Sequence, residues 1–481
     1  MRPMTRNLRY VLAVNLLVVI PDWGLAWNIF SIEHAARVAS RYENVYLLDL
    51  SMLNPKISRI RLGGLHDLLF RKNSIQKAIT EICSREGIKL ITPASNDSYS
   101  SHVVEDFLFN NTFKLAMASK YFWITGNGQT TLNQIDSKLV AKELEYFKYA
   151  YAITSGLILE LGIDKVTTVN GRFLIDGAIK LAADNLGKEI SLLESGFGNT
   201  HTYEEFRVSP HDISNRQEII SNLWKNGDHN KYLVAENGFK QKYEVMVRTG
   251  WLEKSEVEYS PPSGFTQKLA VFFPSTQIED PIFEEIHISK TFSGDQEVAF
   301  RAFCDAARSK NFHVVVRVHP PGHNPKSVAN SDNRTWSKIC LEVGAEIVLS
   351  ESPISSYSLI EKSDLCIVYI SSIAIEIIAQ EKPLLVLGET DYSHLIEENC
   401  AHSFSRLSEM LDQQIPTIEK ARVFPWLYYY MKGGYQFKYF KVDDFGKYTY
   451  DNRQVDAQTL VGKFLKQTVN QLRRAISKIH V

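Results

Sequence analysis

The chain has 481 residues, too many for one compact core, so two domains and an appended segment are expected. Its 54 basic and 55 acidic residues leave a formal charge of −1, which excludes the broad basic field that a nucleic-acid partner needs. A hydrophobic share of 44% excludes extensive disorder. Five dispersed cysteines without CxxC spacing (Cys83, Cys304, Cys340, Cys366, Cys400) suit reduced thiols in a cytosol better than a disulfide framework. The sequons at Asn110 and Asn333 then carry no glycan.

In chain order, Arg2, Arg6 and Arg9 precede the apolar run Tyr10–Ile20, which superficially looks like a signal peptide. Asn15 in its middle and the turn Pro21-Asp22-Trp23-Gly24 after it predict a buried first strand instead. The run is also far short of the ~20 apolar residues of a membrane span. A helix over Asn28–Arg41, a strand over Asn44–Asp49, a helix over Asn73–Glu86 and a strand over Lys89–Thr92 follow. Helical patterns cover Lys138–Ala152 and Gly156–Leu161, and short strands at Lys165–Val169 and Glu189–Leu193 flank a helix over Leu174–Leu186. Strands alternating with helices imply a parallel sheet covered on both faces.

Glu258–Gln267, with Pro261-Pro262-Ser263-Gly264, reads as a linker. Beyond it the pattern restarts. Strands are predicted at Lys268–Phe273, His313–Arg317, Ala345–Leu349, Leu365–Tyr369 and Pro383–Leu387. Helices are predicted at Gln296–Ser309, Thr335–Val343, Ser355–Lys362 and Ser372–Ala379. The predicted organisation is an α/β chain with a Rossmann-like domain at 1–260, a nucleotide-binding Rossmann-like domain at 268–415 and a helical, aromatic tail at 416–481. The tail holds Phe424–Tyr430 and Tyr435–Lys441, which suit glycan stacking, an anionic membrane surface or packing back across the domain junction. A last helix over about Asp456–Lys478 has a basic face.

The chemistry concentrates where predicted strands run out. Arg317 and His319 end one strand ahead of Pro320-Pro321-Gly322, and a guanidinium fork and an imidazole both suit phosphate. Metal binding by His319 and His323 is disfavoured by the two prolines between them. Ser371 and Ser372 end another strand and open a helix whose backbone N–H groups face an anion, with Glu376 one turn on for sugar hydroxyls. Ser275 and Gln277 follow the domain's first strand, and Ser356 and Tyr357 follow a third loop. All lie at the carboxyl edge, where open parallel sheets bind ligands. In the first half, Glu194 ends a strand and suits a base or nucleophile. Arg172 in Asn170-Gly171-Arg172, with His211 and Asp212, are candidates on the acceptor side. Gly126-Asn127-Gly128 lacks the third glycine of a dinucleotide fingerprint, which excludes a dehydrogenase.

The order strand-Pro-Ser-x-Gln, strand-Arg-x-His-Pro, Ile-Ser-Ser-Tyr, strand-Ser-Ser-x-x-x-Glu and Lys382-Pro383-Leu384-Leu385-Val386 resembles bacterial capsule polysaccharide biosynthesis proteins. These are two-domain GT-B glycosyltransferases, including CMP-Kdo-dependent transferases and distant bacterial sialyltransferases. The resemblance covers Lys268–Tyr392 best. Asn170-Gly171-Arg172, Glu194-Ser195-Gly196-Phe197-Gly198 and His211-Asp212 carry a weaker match. It departs from the family at Ile375-Glu376-Ile377, and at Glu381, which stands where relatives have glycine.

The resemblance implies two Rossmann-like domains facing a central cleft, with the nucleotide-sugar on the C-terminal one and a glycan or glycolipid acceptor on the other. It implies a cytoplasmic enzyme, or one peripheral at the inner face of the membrane, that uses no metal or other cofactor. Non-hydrolysing sugar-nucleotide epimerases and CDP-glycerol-type phosphotransferases share the shell. A catalytically silent glycan- or nucleotide-binding protein is the alternative from another class.

Overall fold

The computed structural model describes residues 12–21, 25–51, 72–93, 110–125, 135–196, 202–248, 257–261, 265–275, 292, 295–320, 326–442 and 447–455. The linker residues 262–264, the Gly126–Thr131 run, Gln277, His323 and the basic segment from 456 onward lie outside these residues. The chain divides into two compact units. One comprises residues 1–113, 141–210 and 434–481, the other 114–140 and 211–433.

In the first unit β1 (Leu12–Ile20), β2 (Tyr42–Asp49), β3 (Lys89–Ile91), β4 (Lys165–Val169) and β5 (Glu189–Ser195) are mutually parallel. β6 (Thr202–Phe206) adds an antiparallel edge to β5. Leu16 to Ile20 are all fully buried, as a strand covered on both faces requires. The polar interruption Asn15 sits at the opposite edge. Its Nδ2 donates to the Leu161 and Gly162 carbonyls at 3.0 and 3.3 Å, and its Oδ1 accepts from Asn44. It therefore ties β1 to the turn that follows the Ser137–Glu160 helix, a single helix that spans both predicted helical stretches.

The longer stretch of the second unit opens with helices Ile213–Lys225 and Lys231–Arg248, which the sequence pattern left unread. Its strands are β7 (Lys268–Phe273), β8 (Phe312–Arg317), β9 (Glu346–Val348), β10 (Leu365–Val368) and β11 (Leu384–Val386), all parallel in the order β11-β10-β7-β8-β9. Helices Gln296–Arg308, Lys326–Val343, Ser356–Lys362 and Ala374–Ala379 connect them, each near its predicted place. The core stacks Phe272 on Phe300 with Trp336 edge-on, ring centroids 4.7 and 5.5 Å apart.

Both sheets thus have the strand order 3-2-1-4-5 of a Rossmann fold, read from each unit's first strand. The protein is an α/β chain of two doubly wound, Rossmann-like units. In each, the order reverses between the first and fourth strands, and the crevice at that point is where such sheets take ligands.

The aromatic tail splits in two. Phe424–Lys432 is a helix whose Trp426, Leu427, Tyr428, Tyr429 and Tyr430 are buried within the second unit. A Cβ on Gly238 would lie 3.2 Å from Leu427, so the glycine lets the Lys231–Arg248 helix pack closely on it. From Gly434 the chain belongs to the first unit. There β12 (Tyr435–Gln436) pairs with β6, and β13 (Phe440–Val442), β14 (Tyr448–Tyr450) and β15 (Arg453–Gln454) form a small antiparallel sheet. The buried Glu33 carboxylate accepts the backbone N–H groups of Lys438, Tyr439 and Phe440 at 2.6–2.7 Å. This half of the tail is strand rather than the expected helix and loop. Among the described residues no helix is long and apolar enough to cross a membrane.

Candidate functional site

The carboxyl edge of the second sheet is built from three loops. β7 runs into Pro274-Ser275, at the point where the strand order reverses. The Ser275 backbone is clamped by Gln296, whose Oε1 accepts its N–H at 3.2 Å and whose Nε2 donates to its carbonyl at 3.3 Å. The Ser275 hydroxyl is buried and has no partner among the described residues. Burying a hydroxyl without a hydrogen bond costs about 1–3 kcal/mol, so this one is a candidate polar contact at the crevice.

On the other side of the reversal, β10 leads through Tyr369 and Ile370 to Ser371 and Ser372. The two serines precede the Ala374–Ala379 helix in a turn and are not its side-chain cap. Ser371 Oγ accepts the Ile373 N–H at 3.4 Å, and the Tyr392 hydroxyl donates to the Ser371 carbonyl at 2.7 Å.

Arg317 ends β8, the other neighbour of β7, so it stands about 10 Å from the end of β10, two strand spacings. Its guanidinium is buried. Nε donates to Ser356 Oγ at 3.2 Å and Nη1 to the Leu349 carbonyl. Burial pushes it down to about 10, and the Glu351 carboxylate opposes the shift, so it stays charged at neutral pH. Arg317 therefore braces the loop that carries Ser355, Ser356 and Tyr357. It shares an edge with Ser371 and Ser372, but these residues do not converge on one contact. His319 Nδ1 lies 2.7 Å from the Pro320 carbonyl, and burial lowers the pKa of its ring.

A cavity of about 610 Å³ lies between helices Ser356–Lys362 and Ala374–Ala379, under the Lys231–Arg248 helix. Tyr357, Ser355, Ser358, Phe239, Glu376 and Gln380 line it, with Lys242. Glu376 is buried, and Lys242 Nζ sits 2.6 Å from its Oε1. Its Oε2 has no partner among the described residues, and neither has Gln380 Nε2. The structure thus brings together Tyr357 and Glu376, two residues singled out separately, and adds Lys242 and Gln380, which sequence reasoning missed. The neighbouring Glu381 adopts φ +57°, the left-handed backbone that glycine takes without strain. Lys420 pairs with it at 2.9 Å.

The first sheet has its own cluster. β4 ends at Asn170 and Gly171, both left-handed at φ +52° and +81°, and a Cβ on Gly171 would lie 2.9 Å from Leu192. That turn lets Asn170 Nδ2 reach Glu194 Oε2, 2.5 Å away at the end of β5. Ser195 N–H holds the other oxygen at 2.9 Å. Arg172 lies with its guanidinium 4.7 Å from the Phe173 ring. Below them Asp176 is fully buried, 3.5 Å from Thr168 Oγ1, with Oδ2 unpartnered among the described residues. Glu194 is therefore a held, partly exposed carboxylate beside a buried one. Asp212, in the other unit, is the N-cap of the Ile213–Lys225 helix, accepting the Asn215 N–H at 2.8 Å, and His211 precedes it.

Burial, with the Glu194 charge adding to it and a Thr168 hydrogen bond opposing, holds Asp176 well above its ordinary 3.8. A folded pKa above the unfolded one stabilises the protein most at acid pH, and that contribution fades as pH rises through the folded value. Asp176→Asn is therefore expected to gain stability over the parent as pH is raised from about 4 to about 8. Urea unfolding of both proteins across that range checks it. A constant difference contradicts the assignment.

No family model matches the chain, and no curated protein matches it. It is similar to solved structures that include the KpsC beta Kdo 2,4 transferase of Thermosulfurimonas dismutans, at 15% identity and TM-score 0.37, covering 58% of this chain and 80% of that one. The beta Kdo 2,7 transferase of the same organism's KpsC gives 15% and 0.34, covering 56% and 78%. The UDP-GlcNAc 2-epimerase of Methanocaldococcus jannaschii gives 10% and 0.27, covering 85% and 95%. What the chain can bind is set by its own residues.

Proposed function

We propose that the chain is a nucleotide-sugar-dependent glycosyltransferase of bacterial surface-polysaccharide assembly, taking a CMP-Kdo-like or NDP-sugar donor and a glycan or glycolipid acceptor. The observation that carries this reading is a cavity on a Rossmann-like unit lined by Tyr357 and by Glu376, whose buried Oε2 has no partner among the described residues. A nucleoside fits that pairing, with its base against the tyrosine and its hydroxyls on the carboxylate. Ser275, Ser371 and Ser372 flank the crevice of the same sheet and would take the phosphate, in the field of Arg317 and with His319 as a neutral neighbour at the same edge. Gln277, outside the described residues, belongs to the same proposed donor loop.

Fixed donors and a buried positive charge stabilise a leaving phosphate, so the mechanism calls for no cofactor. On the first unit, Glu194 would deprotonate an acceptor hydroxyl or attack the anomeric carbon, with Arg172 near the same edge. On the second, His211 and Asp212 are kept as acceptor-side candidates. We place the protein in the cytoplasm, where it would work on carriers at the inner face of the membrane.

The test incubates the full chain with CMP-Kdo, and separately with UDP-, GDP- and dTDP-sugars, with and without capsule oligosaccharides. Acceptor-dependent release of nucleotide, with a heavier glycan by mass spectrometry, is the expected result. An epimerised donor, transfer of a phosphate-bearing group, or nucleotide binding without turnover would each replace the reading.

A further inference from the structure

We propose that Lys242 and Gln380 complete, around the Glu376 carboxylate, a subsite that reads one ribose hydroxyl of the bound nucleotide. Lys242 acts as its positioning residue and Gln380 as its hydrogen-bond donor. The inference rests on the donor reading above and deepens it.

A hydroxyl both donates and accepts a hydrogen bond. Glu376 Oε2 accepts and Gln380 Nε2 donates, and both atoms are buried without a partner among the described residues. The two residues are four apart, so they lie one turn from each other on one face of the chain as it leaves the Ala374–Ala379 helix, and both line the cavity. Two buried polar atoms of opposite hydrogen-bonding sense, on residues that both line one cavity, suit a group that satisfies both.

Lys242 explains why one carboxylate oxygen is left over. Lys242 is 5% exposed as a residue, and its ammonium takes Oε1 at 2.6 Å, which leaves Oε2 over. It reaches this place because the Lys231–Arg248 helix packs against the Ala374–Ala379 helix. Lysine on that helix sets how the acid faces the ligand.

Calorimetric titration of the full chain with CMP, UDP and GDP, and with their 2′-deoxy and 3′-deoxy counterparts, tests the proposal. The parent protein is expected to favour the ribonucleotide about tenfold or more over one of the two deoxy forms, the size of one lost charge-assisted hydrogen bond. Gln380→Leu and Lys242→Met are expected to bring that ratio down to about threefold or less, and Lys242→Arg to keep it. A merely structural role would weaken all ligands together and leave the ratio unchanged, which overturns the proposal. Should Lys242→Met fail to fold by near-ultraviolet circular dichroism, Gln380→Leu and Lys242→Arg decide alone. A parent protein that binds nucleotides without discriminating them overturns this subsite and leaves the donor reading standing. One that binds none of them overturns both.

Discussion

Replacing Glu194 with glutamine is expected to cut transfer turnover by about 10²- to 10⁴-fold, the usual contribution of a positioned base or nucleophile. At about 1.4 kcal/mol per decade, that is roughly 3–5 kcal/mol of transition-state stabilisation. Glutamine keeps the shape and one of the two hydrogen bonds that hold the carboxylate, since its single oxygen can accept from Asn170 Nδ2 or from the Ser195 N–H but not from both. What disappears is the capacity to take a proton or attack carbon. Donor affinity should be unchanged, because the proposed donor residues belong to the other unit. Steady-state kinetics with saturating donor, beside a nucleotide titration, separates the two effects. Retention of more than about a tenth of the parent turnover removes Glu194 from the mechanism.

The second large effect concerns stability. Lys242 and Glu376 form an ion pair at 2.6 Å with side chains only 7% and 8% exposed. Such a pair gives little net stability, since desolvating both charges offsets their attraction, but removing one partner strands the other. Glu376→Leu alone is therefore expected to cost about 3–5 kcal/mol in denaturant unfolding, while Lys242→Met with Glu376→Leu recovers most of it. If the single and double variants lose equal stability, the two charges do not depend on each other. The single effect must be weighed in any binding assay on this site, which is why nucleotide ratios rather than bare affinities are the useful readout for Lys242.

The strands of the second unit were legible because parallel strands buried on both faces read as continuous apolar runs such as Leu365–Val368. Ser275, Arg317, Ser371 and Tyr357 were legible as polar residues just past those runs. Their partners were not. Glu376 reads as a first-turn acid open to a sugar, whereas the fold turns it onto a lysine 134 positions upstream. That lysine lies on a helix the sequence reading did not delimit, whose close packing depends on Gly238 meeting Leu427 and Met431. Asp176 was passed over because a single acid early in a helix looks solvated, yet the fold buries it fully, 3.5 Å from Thr168 Oγ1. The departure at Glu381, visible in the sequence, became interpretable only with its positive φ.

The most direct measurement of the donor site is hydrogen–deuterium exchange on the full chain with and without CMP, CDP, UDP, GDP and dTDP. At least one nucleotide should protect residues 349–361 and 369–380, the segments that carry Tyr357, Ser371, Ser372 and Glu376, while leaving Lys326–Val343 unchanged. Protection confined elsewhere, or none with any of the five, would contradict nucleotide binding at this edge of the second unit.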